Sequence, residues 1–300
     1  MKSILYGIAA TLLIIIAIPA FGVSGKEGKT NNTSGGGFYL VSIGIGDPDN
    51  ITLRAVKTIQ KSDIVFCSQE IRKRHADLLE GKDIRERPGN HLHKYLQSVR
   101  GEQMMVAGES RYSPEDVENI REEIDAFVHL VKSAVREGKT VSVLDYGDPA
   151  IYGPQIWMVD ALREVDPVVI PGVSSLNAAN AALKKGVTWG LEARSAILTH
   201  GGGLRDNYTG KDTIARLAAN RSSMVFFTMH VGVEEIAEEL MQHYPAETPI
   251  AVVIEAGYID SERVIMGTLE SISDQVKGKK IPFKNLIYVG DFLKDHWDFF

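Results

Sequence analysis

"FYLVSIGIGDPDNITLRAVKTIQ", residues 38–60, decides how the chain is read. It opens on a near-continuous apolar run with β-branched residues, the pattern of a strand buried on both faces. A Gly-Asp-Pro turn at Gly46, Asp47 and Pro48 breaks the run, and beyond it Ile51, Ala55, Val56 and Ile59 fall on one face of a helix. "DIVFCS" (63–68) follows as a second buried strand. The unit is strand–helix–strand and predicts a parallel sheet.

Working outward, Ser113, Pro114, Glu115 and Asp116 form a helix start: a capping residue, a proline in the first turn and acids at the positive end. The stripe Val117, Ile120, Ile124, Phe127, Val128, Val131 and Val135 keeps helical spacing until Gly138. "TVSVLDYGDP" (140–149) then supplies another strand and a second Gly-Asp-Pro loop. A composition break near "REVDPVVIPG" (163–172) marks a crossover into a second α/β half. There "SAILTHGG", "SSMVFFTMHVG", "TPIAVVIEAG" and "NLIYVGDFL" read as strands, with helices at "GKDTIARLAAN" and "VEEIAEELMQHY". The expected organisation is an N-terminal α/β domain over 38–165 and a C-terminal one over 166–296. Neither half shows a solenoid repeat.

The 300 residues are 44% hydrophobic and 24% charged, enough to bury a core in each half. A net charge of −6 argues against a partner rich in phosphate, so no nucleic acid is expected. The single cysteine, Cys67, excludes an intrachain disulfide, and no Cys/His cluster has the spacing of a metal site.

The N-terminus is of another kind. Residues 4–23, "ILYGIAATLLIIIAIPAFGV", are uncharged and follow Lys2. Ala20 and Gly22 offer the small residues of a cleavage site, yet the run is also long enough to span a bilayer. Residues 1–23 are therefore expected to be a signal peptide or a membrane anchor, and 24–37, "SGKEGKTNNTSGGG", a flexible tether. Flanking charge is too even to set the orientation, with Lys2 on one side and Lys26, Glu27 and Lys29 on the other. The cleavage site and tether favour an exported, extracytoplasmic body, with retained membrane attachment left open.

The loops carry the chemistry. "SIGIGDPDN" (42–50) lacks the third glycine of a dinucleotide fingerprint, so taken alone it is a weak signal. Recurrence strengthens it: Gly147-Asp148-Pro149 also closes a strand, and Pro171-Gly172-Val173-Ser174-Ser175 opens a small-residue helix. Glycine lets a backbone approach a ligand and proline fixes loop shape, so three such loops at strand ends would line one crevice. Capping and turn formation alone would also account for Asp47 and Asp148, and core packing for Met229.

The order of Gly44 to Pro48, "GDPAIYG" (147–153), "VVIPGVSSLNAANAA" (168–182), "FFTMHVG" (226–232) and "ERVIMGTLESI" (262–272) resembles the tetrapyrrole methylases, the S-adenosylmethionine-dependent enzymes of corrinoid and sirohaem biosynthesis. The resemblance runs from about residue 38 to 293. It implies two α/β/α domains with S-adenosylmethionine in the cleft between them, usually in a homodimer. Carried over position by position, it places cofactor contacts at Ile45, Tyr146, Gly147, Asp148, Ile151, Tyr152, Ser174, Ser175, Met229 and Gly257. Asp47 matches a loop acid resembling a catalytic base. Departures stand at Ser42 for the family's leading glycine, Ile45 for its proline, and Ser68 and Gln69 where the sirohaem branch has an acid and a basic residue.

A tetrapyrrole rich in carboxylates calls for cations. "IRKRHADLLEGKDIRERPGNHLHKY" (71–95) supplies Arg72, Arg74, Arg85, Arg87, His91 and His93 as candidate substrate residues, although interleaved acids also fit a solvated helix face. The expected function is C-methylation of a precorrin- or corrinoid-type tetrapyrrole. Two rivals remain: an exported tetrapyrrole-binding protein that has kept the fold without methyl transfer, and methylation of RNA or protein.

Overall fold

In the computed structural model, which describes residues 36–88, 113–204, 208, 210–228 and 231–295, the opening apolar run becomes strand β1 (Gly37–Ser42). It lies between β4 (Thr140–Asp145) and β5 (Val168–Ile170), parallel to both. Beyond β4 come β2 (Ile64–Cys67) and β3 (Asp83–Glu86), giving an all-parallel sheet of order β3-β2-β4-β1-β5. Such a sheet must be covered on both faces. On one, helices α1 (Leu53–Lys61), α2 (Gln69–Arg74) and α3 (Ala76–Leu79) bury Ala55, Ile59, Ile71 and Leu79 against Val41, Val65, Leu144 and Ile170. On the other, α4 (Pro114–Arg136) and α5 (Trp157–Ala161) set Phe127, Val131 and Met158 against Phe38, Leu40, Phe66 and Val143. Local chemistry starts these helices. Thr52 accepts the Ala55 N–H at 3.1 Å, and Ser113 forms a reciprocal capping box with Asp116.

The second sheet joins β6 (Ala196–His200), β7 (Ser223–Phe227), β10 (Asn285–Val289), β8 (Pro249–Ile254) and β9 (Arg263–Thr268) in that order. Only β6 and β7 run parallel; the other pairings are antiparallel. Alternation along the strands divides its core into two. Val225, Ala251, Val253 and Leu286 pack under α6 (Ser175–Leu183). Met224, Phe226, Val252 and Ile287 pack under α7 (Ile214–Ala218), α8 (Val233–Leu240) and α9 (Ile272–Val276). Each sheet is thus the middle of three layers, as expected, and the described residues belong to one compact unit.

Three assignments differ from expectation. Residues 168–170 complete the first sheet through the pairs Tyr39↔Val168 to Val41↔Ile170, so the first layer ends after β5, not at residue 165. Gly37, assigned to the tether, is the first residue of β1, paired with Thr140. The charged stretch from residue 71 is helical only to Leu79; Gly81, at φ +73°, turns the chain into β3, where Ile84 pairs with Val65. The "RVIMGT" segment is an edge strand, β9. The expected anchor and tether at residues 1–35 lie outside the described residues, among which no helix is long and apolar enough to cross a membrane.

Ile59 is fully buried between α1 and the sheet. Ile59→Ala is expected to cost about 2–5 kcal/mol of unfolding free energy, measured by urea denaturation followed by circular dichroism.

Candidate functional site

β1 feeds strands on one side while the crossover from β4 leads to β5 on its other side, so the strand order reverses about β1. A crevice opens at the carboxyl ends of strands at such a point. Here the loops leaving β1, β4 and β5 meet. Gly44 and Gly147 form an isolated bridge, with the Gly147 N–H donating to the Gly44 carbonyl at 2.9 Å. The Ser42 hydroxyl donates to the Gly147 carbonyl and accepts the Gly44 N–H at 3.0 Å. Gly172 closes on the same hydroxyl: a Cβ there would lie 1.8 Å from Ser42 Oγ. A serine at 42 is therefore tolerable only with glycine at 172. Asp148 links the second loop to the third, accepting the Ala150 N–H at 2.8 Å and the Gly172 N–H at 3.1 Å.

The turn after β8 reaches across to the first loop. Gly46 has φ +89°, and a Cβ on it would meet the Gly257 carbonyl oxygen at 2.0 Å. Two backbones touch where only glycine fits. The Asp47 N–H donates to Gly257 O at 2.8 Å, and Asp47 Oδ2 accepts the Ile259 N–H at 2.9 Å. Asn50 Nδ2 donates to Ile45 O at 2.9 Å and to Gly257 O at 3.3 Å.

The residues expected at the cofactor gather on this frame. Ile45 and Ile151, with Val173 and Leu176, pack against the apolar cluster of Ala178, Phe227 and Val253. Gly147, at φ +64°, would bring a Cβ no closer to any atom than 3.9 Å, at Ser174 Cα, so its surface is open. Tyr152 holds a left-handed φ of +55°, a strain of order 1 kcal/mol or more that the surrounding packing sustains. Its ring, 43% exposed, lies on Phe227 with centroids 4.3 Å apart. Ser174 caps α6 in a box with Asn177, and Ser175 is the first residue of that helix. Gly257 sits at φ +83°. Met229, His91 and His93 lie outside the described residues.

The four arginines do not line one trough. Ile84 faces the α1–α3 side of the sheet, so its neighbour Arg85 projects to the opposite face, away from Arg72 and Arg74 on α2. Arg85 pairs with Asp83 at 2.7 Å, and Arg74 donates to Gly46 O at 3.1 Å. Arg87 meets the buried Asp145 at 3.1 Å, just before the second loop. Burial pushes the Asp145 carboxyl up to about 6, against the lowering pull of Arg87 and of the Tyr146 N–H. Burial, with Glu70 nearby, also raises the Tyr146 hydroxyl.

Asn50, Gly172, Tyr258 and Phe227 belong to this site but carried no signal strong enough to single them out. Asn50 and Gly172 lie in the first and third loops and Phe227 in the FFTMHVG motif, whereas Tyr258 acts only through partners distant in the chain. Among the described residues no group of His, Cys, Asp and Glu could hold a metal ion.

The family model of the Tetrapyrrole (Corrin/Porphyrin) Methylases matches residues 37–273. Cobalt-precorrin-4 C(11)-methyltransferase of Methanocaldococcus jannaschii is 32% identical over 257 residues, 85% of this chain and 87% of the relative. An X-ray structure of a cobalamin biosynthetic enzyme, cobalt precorrin-4 methyltransferase, superposes with a TM-score of 0.65 at 24% identity, covering 86% of this chain and 96% of that one. Uroporphyrin-III C-methyl transferase from Thermus thermophilus, crystallised with S-adenosyl homocysteine, gives a TM-score of 0.58 at 22% identity, covering 86% and 99%.

The Asp145–Arg87 pair sets a pH dependence. Because the folded carboxyl titrates at about 6, above its ordinary 3.8, its contribution to stability is complete below the ordinary value and is lost as pH rises through 6. Removing Arg87 raises that value further and leaves a buried charge uncompensated. In thermal melts from pH 5 to 8, Arg87→Met is expected to lose stability relative to wild type, with the deficit growing with pH towards about 3–5 kcal/mol. A deficit independent of pH would show that the pair is not what couples this site to protons.

Proposed function

The chain belongs to the tetrapyrrole (corrin/porphyrin) methylases, and on that footing we propose that it methylates a carbon of a corrinoid-type tetrapyrrole precursor, with S-adenosylmethionine as methyl donor. The observation that carries this reading is the convergence of three glycine-containing loops and the Gly257 turn on one crevice at the reversal of strand order. A precursor of the corrinoid kind is favoured over the sirohaem kind by Ser68 and Gln69. Ser68 serves as the N-cap of α2, accepting the Ile71 N–H at 3.3 Å, and offers no charge.

The residues present fit the cofactor. The open surface of Gly147 leaves room for close backbone approach, and Ile45, Ile151 and Val173 supply an apolar wall for a heterocycle. The half-exposed Tyr152 ring, backed by Phe227, supplies an aromatic plate. Ser174, Ser175 and Gly257 complete the enclosure. When bound, S-adenosylmethionine supplies an electrophilic methyl group on a sulfonium centre.

The chain's own work is then positioning, exclusion of water and handling of one proton. Asp47 is held by its Oδ2 on the Ile259 N–H, which fixes the carboxylate at the mouth of the crevice. Oδ1 is the atom that would take the proton released by the ring. Asp148 serves differently: both its oxygens accept backbone N–H groups, so it shapes the loop and does no proton transfer.

In the reading proposed here the enzyme works as a homodimer, which sedimentation would register as twice the monomer mass. It is exported or held at the membrane through residues 4–23, whose uncharged apolar run supports this location.

Calorimetry on the purified protein is expected to give 1:1 binding of S-adenosylhomocysteine. The heat should vanish in Asp148→Arg, where a long cation replaces the carboxylate that ties two loops together. Asp47→Asn keeps an acceptor for the Ile259 N–H but cannot take a proton. It should lower turnover of a precorrin substrate by about 10²-fold or more while binding the cofactor product within twofold of wild type. Absence of binding by the wild-type protein would favour the rival reading of a tetrapyrrole-binding protein without methyl transfer. For the location, a reporter active only outside the cytoplasm, fused after Phe300, should be active; silence beside a working cytoplasmic reporter would refute export.

A further inference from the structure

Arg74 was expected to meet substrate carboxylates, yet its surroundings define another task. Its guanidinium donates to the Gly46 carbonyl at 3.1 Å and lies over the ring of Tyr258, 4.7 Å from the centroid. Tyr258 immediately follows Gly257 and is only 8% exposed. Lys284, next to the first residue of β10, donates to the Tyr258 hydroxyl at 3.0 Å and also lies 4.7 Å from the ring centroid. Glu70, one turn before Arg74 on α2, reaches Lys284 at 3.8 Å. An aromatic ring from the second sheet's edge is therefore held by two cations, one from each half of the molecule. A buried ring face with a guanidinium on it is a favourable contact because the cation is partly desolvated.

The neighbouring loop residues are pinned in series. Asn50 holds the carbonyl of Ile45, Arg74 that of Gly46, and Gly257 accepts the N–H of Asp47. No two of these partners come from the same element. The second loop joins in through Tyr146, whose hydroxyl has Glu70, Tyr258 and Arg74 as its electrostatic neighbours. The first two of the loops expected to touch the cofactor thus abut one strap.

We propose that Arg74 is a positioning residue of the cofactor crevice and not a substrate anchor: resting on Tyr258, it fixes the Gly46 carbonyl and with it the first loop, while Lys284 and Glu70 hold the strap across the two halves. This rests on the reading of the crevice as the S-adenosylmethionine site. Lysine cannot replace arginine here, because a point charge cannot both lie flat on the ring and donate in a fixed direction to Gly46.

The test pairs direct binding with kinetics. Calorimetry with S-adenosylhomocysteine should show Arg74→Met weakened tenfold or more, Arg74→Lys not rescued, and Lys73→Met, from the exposed face of the same helix, unchanged. Tyr258→Leu should weaken binding similarly, and the Arg74→Met/Tyr258→Leu double variant should be no worse than either single variant, since both remove one device. In turnover with a precorrin substrate, KM for the tetrapyrrole should stay within twofold. Should Arg74→Met fail to fold in a thermal melt, Tyr258→Leu alone decides, because it leaves Arg74 in place and removes the ring beneath it together with the hydroxyl that Lys284 holds. Binding of S-adenosylhomocysteine by wild type and by Arg74→Met or Tyr258→Leu alike would overturn the strap. So would a loss confined to the tetrapyrrole KM that deepens at low salt, the mark of a direct carboxylate contact. No binding by wild type would bring down the reading of the crevice, and the strap with it.

Discussion

Everything at the crevice depends on how closely two backbones approach at Gly46 and Gly257. A β-carbon at residue 46 would sit 2.0 Å from the Gly257 carbonyl oxygen, so the contact exists only because residue 46 has no side chain. From that contact follow the Asp47 N–H bond to Gly257, the Asn50 bridge and the seat of the Asp47 carboxylate on Ile259. Each of these joins the parallel sheet to the mixed one. The geometry of the crevice thus starts from a main-chain contact, and the side chains of Asp47 and Asn50 tie the loops around it.

A second constraint acts inside the parallel sheet. Ser42 stands where the family resemblance has a glycine, and its hydroxyl joins the loops after β1 and β4 directly. That hydroxyl occupies the space a side chain at 172 would need, so the two positions are coupled. Beside Ser42, as its register partner on β4, the buried Asp145 carboxyl, with Arg87, braces the start of the second loop. Hydrogen bonds inside a poorly solvated site are stronger than in water, but an unmatched charge there is correspondingly costly. The site combines a neutral tie at Ser42 with a charged one at Asp145, and only the second responds to protons.

Much of this was legible in the sequence. The buried runs at 38–43 and 140–145 announced parallel strands because both faces of such a sheet are covered, and the spacing Ile51, Ala55, Ile59 announced α1. The three loops were found because glycine and proline mark backbone that must bend. What escaped had other causes. β5 is three residues long, too short for a periodic pattern, and its membership in the first sheet is a matter of pairing with β1. β3 hides among charges because it is an edge strand with only one neighbour. Arg74 and Arg87 looked like a substrate's counter-ions, since residue type reveals charge and not the partner. Their partners, Tyr258 with the Gly46 carbonyl and Asp145, lie far away along the chain.

The position of β1 has a consequence for the order of assembly. The earliest described strand is flanked on both sides by strands that come much later, its first residue pairing with Thr140 and its third with Val168. During synthesis, then, β1 waits without its neighbours, and loop closure must precede any reward from pairing. The Gly257 turn that seals the crevice emerges later still. A nascent or truncated chain can complete the first sheet and yet lack the seal, so competence to hold a ligand is the last property the polypeptide acquires. The long-range pairing of β1 makes this a slow-folding topology in which an apolar strand stays uncovered until late, a period when other chains compete for it.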